Sequence, residues 1–509
     1  MKLFLETKDF CTYLICKDIL KKKAFIMENN IKELEPSLLW KHFSSLCSIP
    51  HPSKHEQKLS QFISEFAQQH KLELKSDNAG NLLIKKKATK GKEHVPLIIL
   101  QSHLDMVPQK HDSVKHDFFN DPIKPYSDGE WVRAQGTTLG ADNGIGVAAS
   151  LAVLEDTSLQ HGPLEVLFTI DEETGMTGVK HLDSGFLEGK RLINLDTEDD
   201  SELCIGCAGG VDIVATCKPI YEPVTEKKLS YQLAVEGLRG GHSGIDIHTG
   251  RGNAIKILNR VLFIASEKFD IGISSFNGGN VRNAIPRAAT AQIVVPEEFE
   301  SSFLKWIQEI ESTIRSEYSP IEPDLKVSLM RSNHHRQILT RSLQTNLLQA
   351  LYACPNGVYK MSNAFPDLVE TSNNVSILKC DSDLIKIECL CRSSTESSRE
   401  DCGNAILSAL SLGCMHVEFH GAYPGWAPNP SSSLLACMKS VYKDVYAKEP
   451  HIIAVHAGLE CGLIGAKYPE MDMVSCGPTI CNPHSPEERV NIYSVKRFWK
   501  YLTTLIQGC

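Results

Sequence analysis

Three apolar runs in this chain end on residues that do not belong in a core. "LIILQSHLD" reaches His103 and Asp105, "LEVLFTIDEE" reaches Asp171, Glu172 and Glu173, and "RLINLD" reaches Asp196. Short runs of this kind read as buried strands. Burying charge costs far more than burying apolar surface, and adjacent carboxylates repel each other besides. The chain must therefore bring these strand ends out to one polar edge, or place something positive there. In open α/β sheets that edge, outside the carboxyl ends of the strands, is where ligands bind.

Helical patterns alternate with the strands. "SLLWKHFSSLCSI" and "EQKLSQFISEFAQQH" have helical spacing, and "GIGVAASLAVLED" opens a helix after glycines. With "NLLIKKK" as a further strand, residues 31–210 read as the first part of an α/β domain with helices on the faces of its sheet. After Gly210 the texture changes. "KLSYQLAVEGL", "NAIPRAATAQIVVP", "DLKVSLMRS" and "DLIKIECLCRSS" alternate like half-buried strands, and they flank long amphipathic helices. Residues 211–422 are expected to form an inserted α+β domain. The turn-rich "PGWAPNPSSS" then leads back to α/β texture, so residues 423–509 complete the first domain. The expected architecture is a three-layer α/β/α domain with an inserted α+β lid domain.

Composition narrows the function. The 509 residues are 42% hydrophobic and 23% charged, with a formal net charge of −9 and no long basic run. This argues against nucleic-acid and anionic-membrane partners. No apolar run approaches the roughly 20 residues of a spanning helix. The first 30 residues, broken by Glu6, Lys8, Asp9, Lys17 and Asp18, lack an export signal and are expected to form a poorly ordered extension. The 17 cysteines are scattered and lie mostly in apolar runs. That usage fits a reduced, cytoplasmic protein.

The polar strand ends acquire a purpose if they hold divalent metal. His and carboxylate donors without thiolate suit Zn²⁺, Mn²⁺ or Co²⁺. His103 can ligate while Asp105 orients its other ring nitrogen. Of Glu172 and Glu173, one can ligate and the other can serve as a general base. Asp142, in the Gly-rich turn "GTTLGADNGIG", is the candidate bridge between two ions. A further ligand is expected from the C-terminal part, with His484 in "CGPTICNPHSPEERV" the candidate. His451 and His456 lie nearby in sequence, and a plain structural role is the better reading for both.

Together "SHLDMVPQK", "GTTLGADNGIGVA", "FTIDEETGMTG", "LINLDTED", "GGHSGIDIHTGRGNA" and "CGPTICNPHSPEERV" resemble the di-zinc metallopeptidases that include the carnosinase-type dipeptidases. Within that clan they are most similar to the bacterial cytosolic non-specific, or aminoacyl-histidine, dipeptidases. The resemblance runs from about Leu34 to the C-terminus. It implies that His103 and Asp196 hold one metal, Glu173 and His484 the other, and that Asp142 bridges. It implies Glu172 as general base and Asp105 as the acid behind His103. It also implies three residues that spacing alone would not single out: His242 to steady the oxyanion, Asn283 to contact substrate, and Arg392 to receive a dipeptide's C-terminal carboxylate. The expected activity is metal-dependent hydrolysis of dipeptides with a free C-terminal carboxylate, β-alanyl-histidine and other Xaa-His among them. The expected partner is a dipeptide, with two divalent ions, Zn²⁺ foremost. A homodimer stays open. Two alternatives stay open as well: a deacylase or desuccinylase of N-acyl amino acids on the same fold, and a catalytically inactive binding homologue.

Overall fold

The structure is a computed structural model that describes residues 30–224, 227–333, 335–365 and 367–508. Apart from Asn30, the expected N-terminal extension lies outside the described residues. The chain divides into two compact units. One comprises the described residues up to Ile205, Asn429–Ile453, and the described residues from Leu463 onward. The other comprises Gly206–Pro428 together with Ala454–Gly462. That last short segment, which includes His456, belongs to the second unit rather than to the α/β domain that residues 423–509 are expected to complete.

The first unit is built on an eight-stranded sheet. At its centre Ile98–His103 pairs in parallel with Leu164–Thr169 on one side and Arg191–Asn194 on the other. Asp472–Ser475, from the far end of the sequence, pairs in parallel with Arg191–Asn194. Every residue of Ile98–His103 and Leu164–Thr169 is buried, as expected of parallel strands covered by helices. Parallel pairing carries a functional consequence: it points the carboxyl ends of all four strands the same way. Helix Ala141–Glu155 packs on Ile98–His103 and on helix Ser37–Cys47. Helix Ser433–Tyr446 packs on Asp472–Ser475 and on the closing helix Ile492–Gly508. A smaller four-stranded sheet pairs the hairpin of Ile480–Cys481 and Arg489–Asn491 with Trp131–Ala134.

The second unit is an antiparallel nine-stranded sheet with helices. Gly209–Cys217, Ile385–Ser393 and Val369–Cys380 are neighbours in it, and Ala289–Pro296 alternates buried and half-buried residues before turning wholly buried. Helices Ala254–Phe269 and Glu300–Tyr318 bring Phe269, Phe303 and Trp306 into one aromatic cluster, with ring centroids at the spacing that edge and tilted contacts favour. The fold class is therefore mixed α/β, with an α/β unit and an α+β unit. Among the described residues no helix is long and apolar enough to cross a membrane. The free cysteines are mostly buried, but Cys437 is disulfide-bonded, a departure from the expectation of reduced thiols.

Candidate metal centre

Each strand end delivers what its sequence promised. His103 closes Ile98–His103; Glu172 and Glu173 follow Leu164–Thr169 after a two-residue turn; Asp196 follows Arg191–Asn194. Asp142 enters from the start of helix Ala141–Glu155, where Asp142 and Asn143 depart from helical geometry and their shared peptide bond is cis. His484 lies at the tip of the Ile480–Asn491 hairpin, at φ 59°. His103 Nε2 is 3.1 Å from Asp142 Oδ1 and 3.5 Å from Asp196 Oδ1. His484 Nε2 is 3.1 Å from Asp142 Oδ2 and 2.8 Å from Glu173 Oε1. The two oxygens of one carboxylate thus face two different imidazoles.

The donors fall into overlapping groups whose atoms all lie within 4.8 Å of one another: His103, Asp142 and Asp196; Asp142, Glu173 and His484; and His103, Glu172 and Glu173. Among the described residues no Lys or Arg forms an ion pair with Asp142, Glu173 or Asp196; their pairs are with the two histidines. Glu173 Oε1 is buried and, although 2.8 Å from His484 Nε2, makes no hydrogen bond. Burial raises the Glu173 and Asp196 carboxyls, with the Asp142 charge adding to it. The hydrogen bond that the His484 ring donates to Asp142, with the Glu173 carboxylate beside it, pushes the His484 imidazole up to about 11. Buried acids without a permanent cation, an orphaned carboxylate oxygen, and oxygen and imidazole donors without thiolate all fit divalent ions.

The three acids in a row do different work. Asp171 is buried and turned inward: its two oxygens accept from the hydroxyls of Thr174 and Thr177. It fixes the turn, and only Glu172 and Glu173 join the donor groups. Asp105 has a role the sequence reading missed. His103 Nδ1 lies 3.0 Å from the main-chain oxygen of Asp105 and 3.4 Å from its carboxylate. The carboxylate itself accepts from the main-chain N–H groups of Glu172 at 2.9 Å and Glu173 at 3.2 Å, and from Ser53 Oγ at 2.8 Å. Burial would raise this carboxyl, but the His103 contact and these donors outweigh it and hold it down at about 2. The Asp105 carboxylate therefore holds the Glu172–Glu173 backbone as well as facing the imidazole.

Two further residues escaped the sequence reading. Asn143 donates to the Leu195 carbonyl at 2.8 Å and to Asp196 Oδ1, tying two ligand-bearing loops together. Glu488 lies four residues after His484, and its carboxylate faces the loop that carries Asp142. The spacing H-x-x-x-E was visible, but nothing in it says where the glutamate points.

The residues implied by resemblance in the inserted segment sit within the second unit. His242 and Asn283 are brought close by a two-residue pairing of Gly241–His242 with Ala284–Ile285, and the Ser243 N–H donates to the Asn283 carbonyl at 2.9 Å. His242 Nδ1 accepts from the N–H groups of Gly244 and Ile245 at 3.1 and 3.0 Å. Burial, with Arg392 adding, lowers the His242 pKa. The ring is therefore neutral and carries its proton on Nε2. Arg392 is buried, donates from Nη1 to the Tyr423 hydroxyl at 3.0 Å, and leaves Nε without a partner. His456 accepts or donates at 2.7 Å with Ser372 Oγ; burial, helped by Arg392, drops its pKa to about 3.

With this geometry in view, comparison with known proteins is decisive. Residues 99–508 match the model of peptidase family M20/M25/M40. The chain belongs to that family. It is 42% identical over 479 residues to the cytosol non-specific dipeptidase of Escherichia coli, covering 94% of this chain and 99% of that protein. The crystal structure of an aminoacylhistidine dipeptidase from Vibrio alginolyticus is 44% identical and superposes with a TM-score of 0.90, covering 94% of this chain and 97% of that one. A tripeptidase from Staphylococcus aureus, 16% identical with a TM-score of 0.53 over 93% of this chain and 98% of that one, shares the fold. In a chain of this family the donor groups are candidate metal-ligand groups.

Proposed function

We propose that the chain is a cytoplasmic metallodipeptidase that hydrolyses dipeptides with a free C-terminal carboxylate, Xaa-His dipeptides among them. The observation that carries this is the sharing of Asp142 between two donor groups, one with His103 and Asp196, the other with Glu173 and His484. The names of the E. coli and Vibrio relatives support dipeptides as the substrate class and the cytosol as the compartment. In this reading His103 and Asp196 hold one ion, Glu173 and His484 the other, and Asp142 bridges; Zn²⁺ is the proposed metal. Ions bound there supply positive charge that polarises a carbonyl and acidifies water.

The chain's own groups do the rest. Glu172, held at its main chain by Asp105, takes the proton of the attacking water and returns it to the leaving amine. The neutral His242, with Nδ1 already engaged by two N–H groups, has only Nε2–H to offer, and a donor fixed in advance suits a developing oxyanion. Asn283 contacts the substrate. Arg392 receives the C-terminal carboxylate, and its unpartnered Nε is the kind of donor a carboxylate satisfies. Residues 211–422 act as a lid domain that supplies these contacts.

The test is a substrate panel: Ala-Ala, β-Ala-His, Ala-Ala amide, a tripeptide and N-acetyl amino acids, each with and without a chelator. Dipeptides should be cleaved, the amide and tripeptide should lag by at least tenfold, and chelation should abolish turnover until metal is restored. Preferential cleavage of the N-acetyl amino acids would instead make the chain a deacylase.

A further inference from the structure

Glu488 is 2% exposed, and among the described residues its carboxylate has no ion-pair partner. It meets only main-chain donors. Oε2 accepts from the N–H groups of Leu139 at 2.7 Å and Gly140 at 3.0 Å; Oε1 accepts from Ala141 at 2.7 Å and Asp142 at 3.3 Å. Four consecutive N–H groups converging on one carboxylate form an anion-binding concavity at the start of helix Ala141–Glu155. Gly140, at φ 72°, gives the loop the curvature that lets all four point inward. Its other side is close-packed: a Cβ there would come within 3.1 Å of the Met106 sulfur.

We infer that Glu488 is a positioning residue for the metal centre: it locks the Leu139–Asp142 loop to the hairpin that carries His484. The inference rests on the metal assignment above. Asp142 and His484 are 342 residues apart, and both must meet one ion. Glu488 shares the His484 hairpin and grips the Asp142 main chain, and among the described residues its carboxylate forms no hydrogen bond or ion pair with the His484 ring or the Asp142 carboxylate. It therefore fixes the separation of two ligands without being one. The rival explanation is that the strand pairing of Arg489–Asn491 with Trp131–Ala134 already holds the hairpin in place, and that Glu488 serves only the stability of the fold.

Glu488→Gln separates the two. It keeps the size, but one oxygen becomes an NH₂ group facing two N–H donors, so half the concavity is lost. Full-length protein is stripped with chelator, and its affinity for Co²⁺ is measured by competition with a chromophoric chelator, alongside the melting temperature of the metal-free protein. The expected result is Co²⁺ binding weakened 10- to 100-fold, the range for loss of a residue that supports a ligand, with the metal-free melting temperature nearly unchanged. Glu488→Asp, which keeps the charge and shortens the reach, should be intermediate. Gly140→Ala, which strains the same loop from its other side, should weaken Co²⁺ binding in the same way. Wild-type affinity in Glu488→Gln overturns the inference, as does a lowered metal-free melting temperature with unaltered Co²⁺ binding. If Glu488→Gln does not fold, unaltered Co²⁺ binding in both Glu488→Asp and Gly140→Ala overturns it. Wild-type protein that binds no Co²⁺ refutes the metal assignment itself, a different failure.

Discussion

The two units handle buried polar groups in opposite ways. The first collects acids: Asp142, Glu173 and Asp196 lie together, and among the described residues their ion-pair partners are His103 and His484. The second collects bases: Arg392 is buried near His456 and His242, and it helps keep both imidazoles neutral. Neither arrangement is a remedy for instability, because isolated buried charges and unpaired donors weaken a fold. Under the proposed function each is a receiver for the opposite charge, metal cations in one unit and a substrate carboxylate in the other. The contrast is also one of architecture. Parallel strands deliver their carboxyl ends to one edge, so acids from distant sequence positions gather there. In the antiparallel unit the polar residues come from different kinds of position: Arg392 from the next-to-last residue of Ile385–Ser393, His242 from a two-residue bridge, and His456 from just after His451–Val455.

The sharpest way to break the contrast is within the first unit. Glu172→Gln should keep bound metal and lose turnover 10²–10⁴-fold, the usual size of a general-base loss. Glu173→Gln should instead lower metal content. Kinetics paired with elemental analysis of both variants decides; a reversed pattern would exchange the two roles. The next effect belongs to the second unit. Arg392→Ala should raise KM on a dipeptide by one to three orders of magnitude, as truncating a buried charged contact does, and should erase the preference for the free acid over the amide. Unaltered KM would leave Arg392 as a structural residue.

The smallest effect is a pH dependence. His456 in the folded protein has a pKa near 3, whereas the unfolded side chain takes up a proton near 6.5. Between those values the unfolded state binds a proton that the folded state refuses, so stability falls as pH drops from about 6.5 toward 3. The loss should reach about 2 kcal/mol by pH 5. His456→Gln should lack this component, seen as a flatter dependence of the urea midpoint between pH 7 and 5. Parallel curves for the two proteins would mean that His456 is protonated without cost.

What the sequence made legible follows the same division. His103, Glu172, Glu173 and Asp196 stood out because polar and charged groups at the ends of apolar runs are costly, and Asp142 stood out in a Gly-rich turn just ahead of a helix. His484 needed only a turn after the last strand-like run. Asp171 looked the same as its two neighbours, since its inward turn depends on φ 53° and on hydroxyls three and six residues later. Glu488 was invisible because its partners are main-chain N–H groups 346 to 349 residues away. In the second unit His242, Asn283 and Arg392 could be named only through family resemblance. Alternation marks a strand, but it does not distinguish an arginine that faces solvent from one that is buried beside a tyrosine. The Ala454–Gly462 segment grouped with the second unit for a similar reason: the partner of His456 is Ser372, 84 residues away.

The central claim is that the acids of the first unit exist to hold metal, and metal stoichiometry tests it most directly. Chelator-treated protein is titrated with Zn²⁺ in a calorimeter, and the bound metal is then counted by elemental analysis, for wild type and for Asp142→Asn. The expected result is two Zn²⁺ per wild-type chain and a loss of tight binding at both positions in the variant, because Asp142 serves both donor groups. Wild-type protein that binds no Zn²⁺, or an Asp142→Asn variant that still binds two as tightly, would contradict the account.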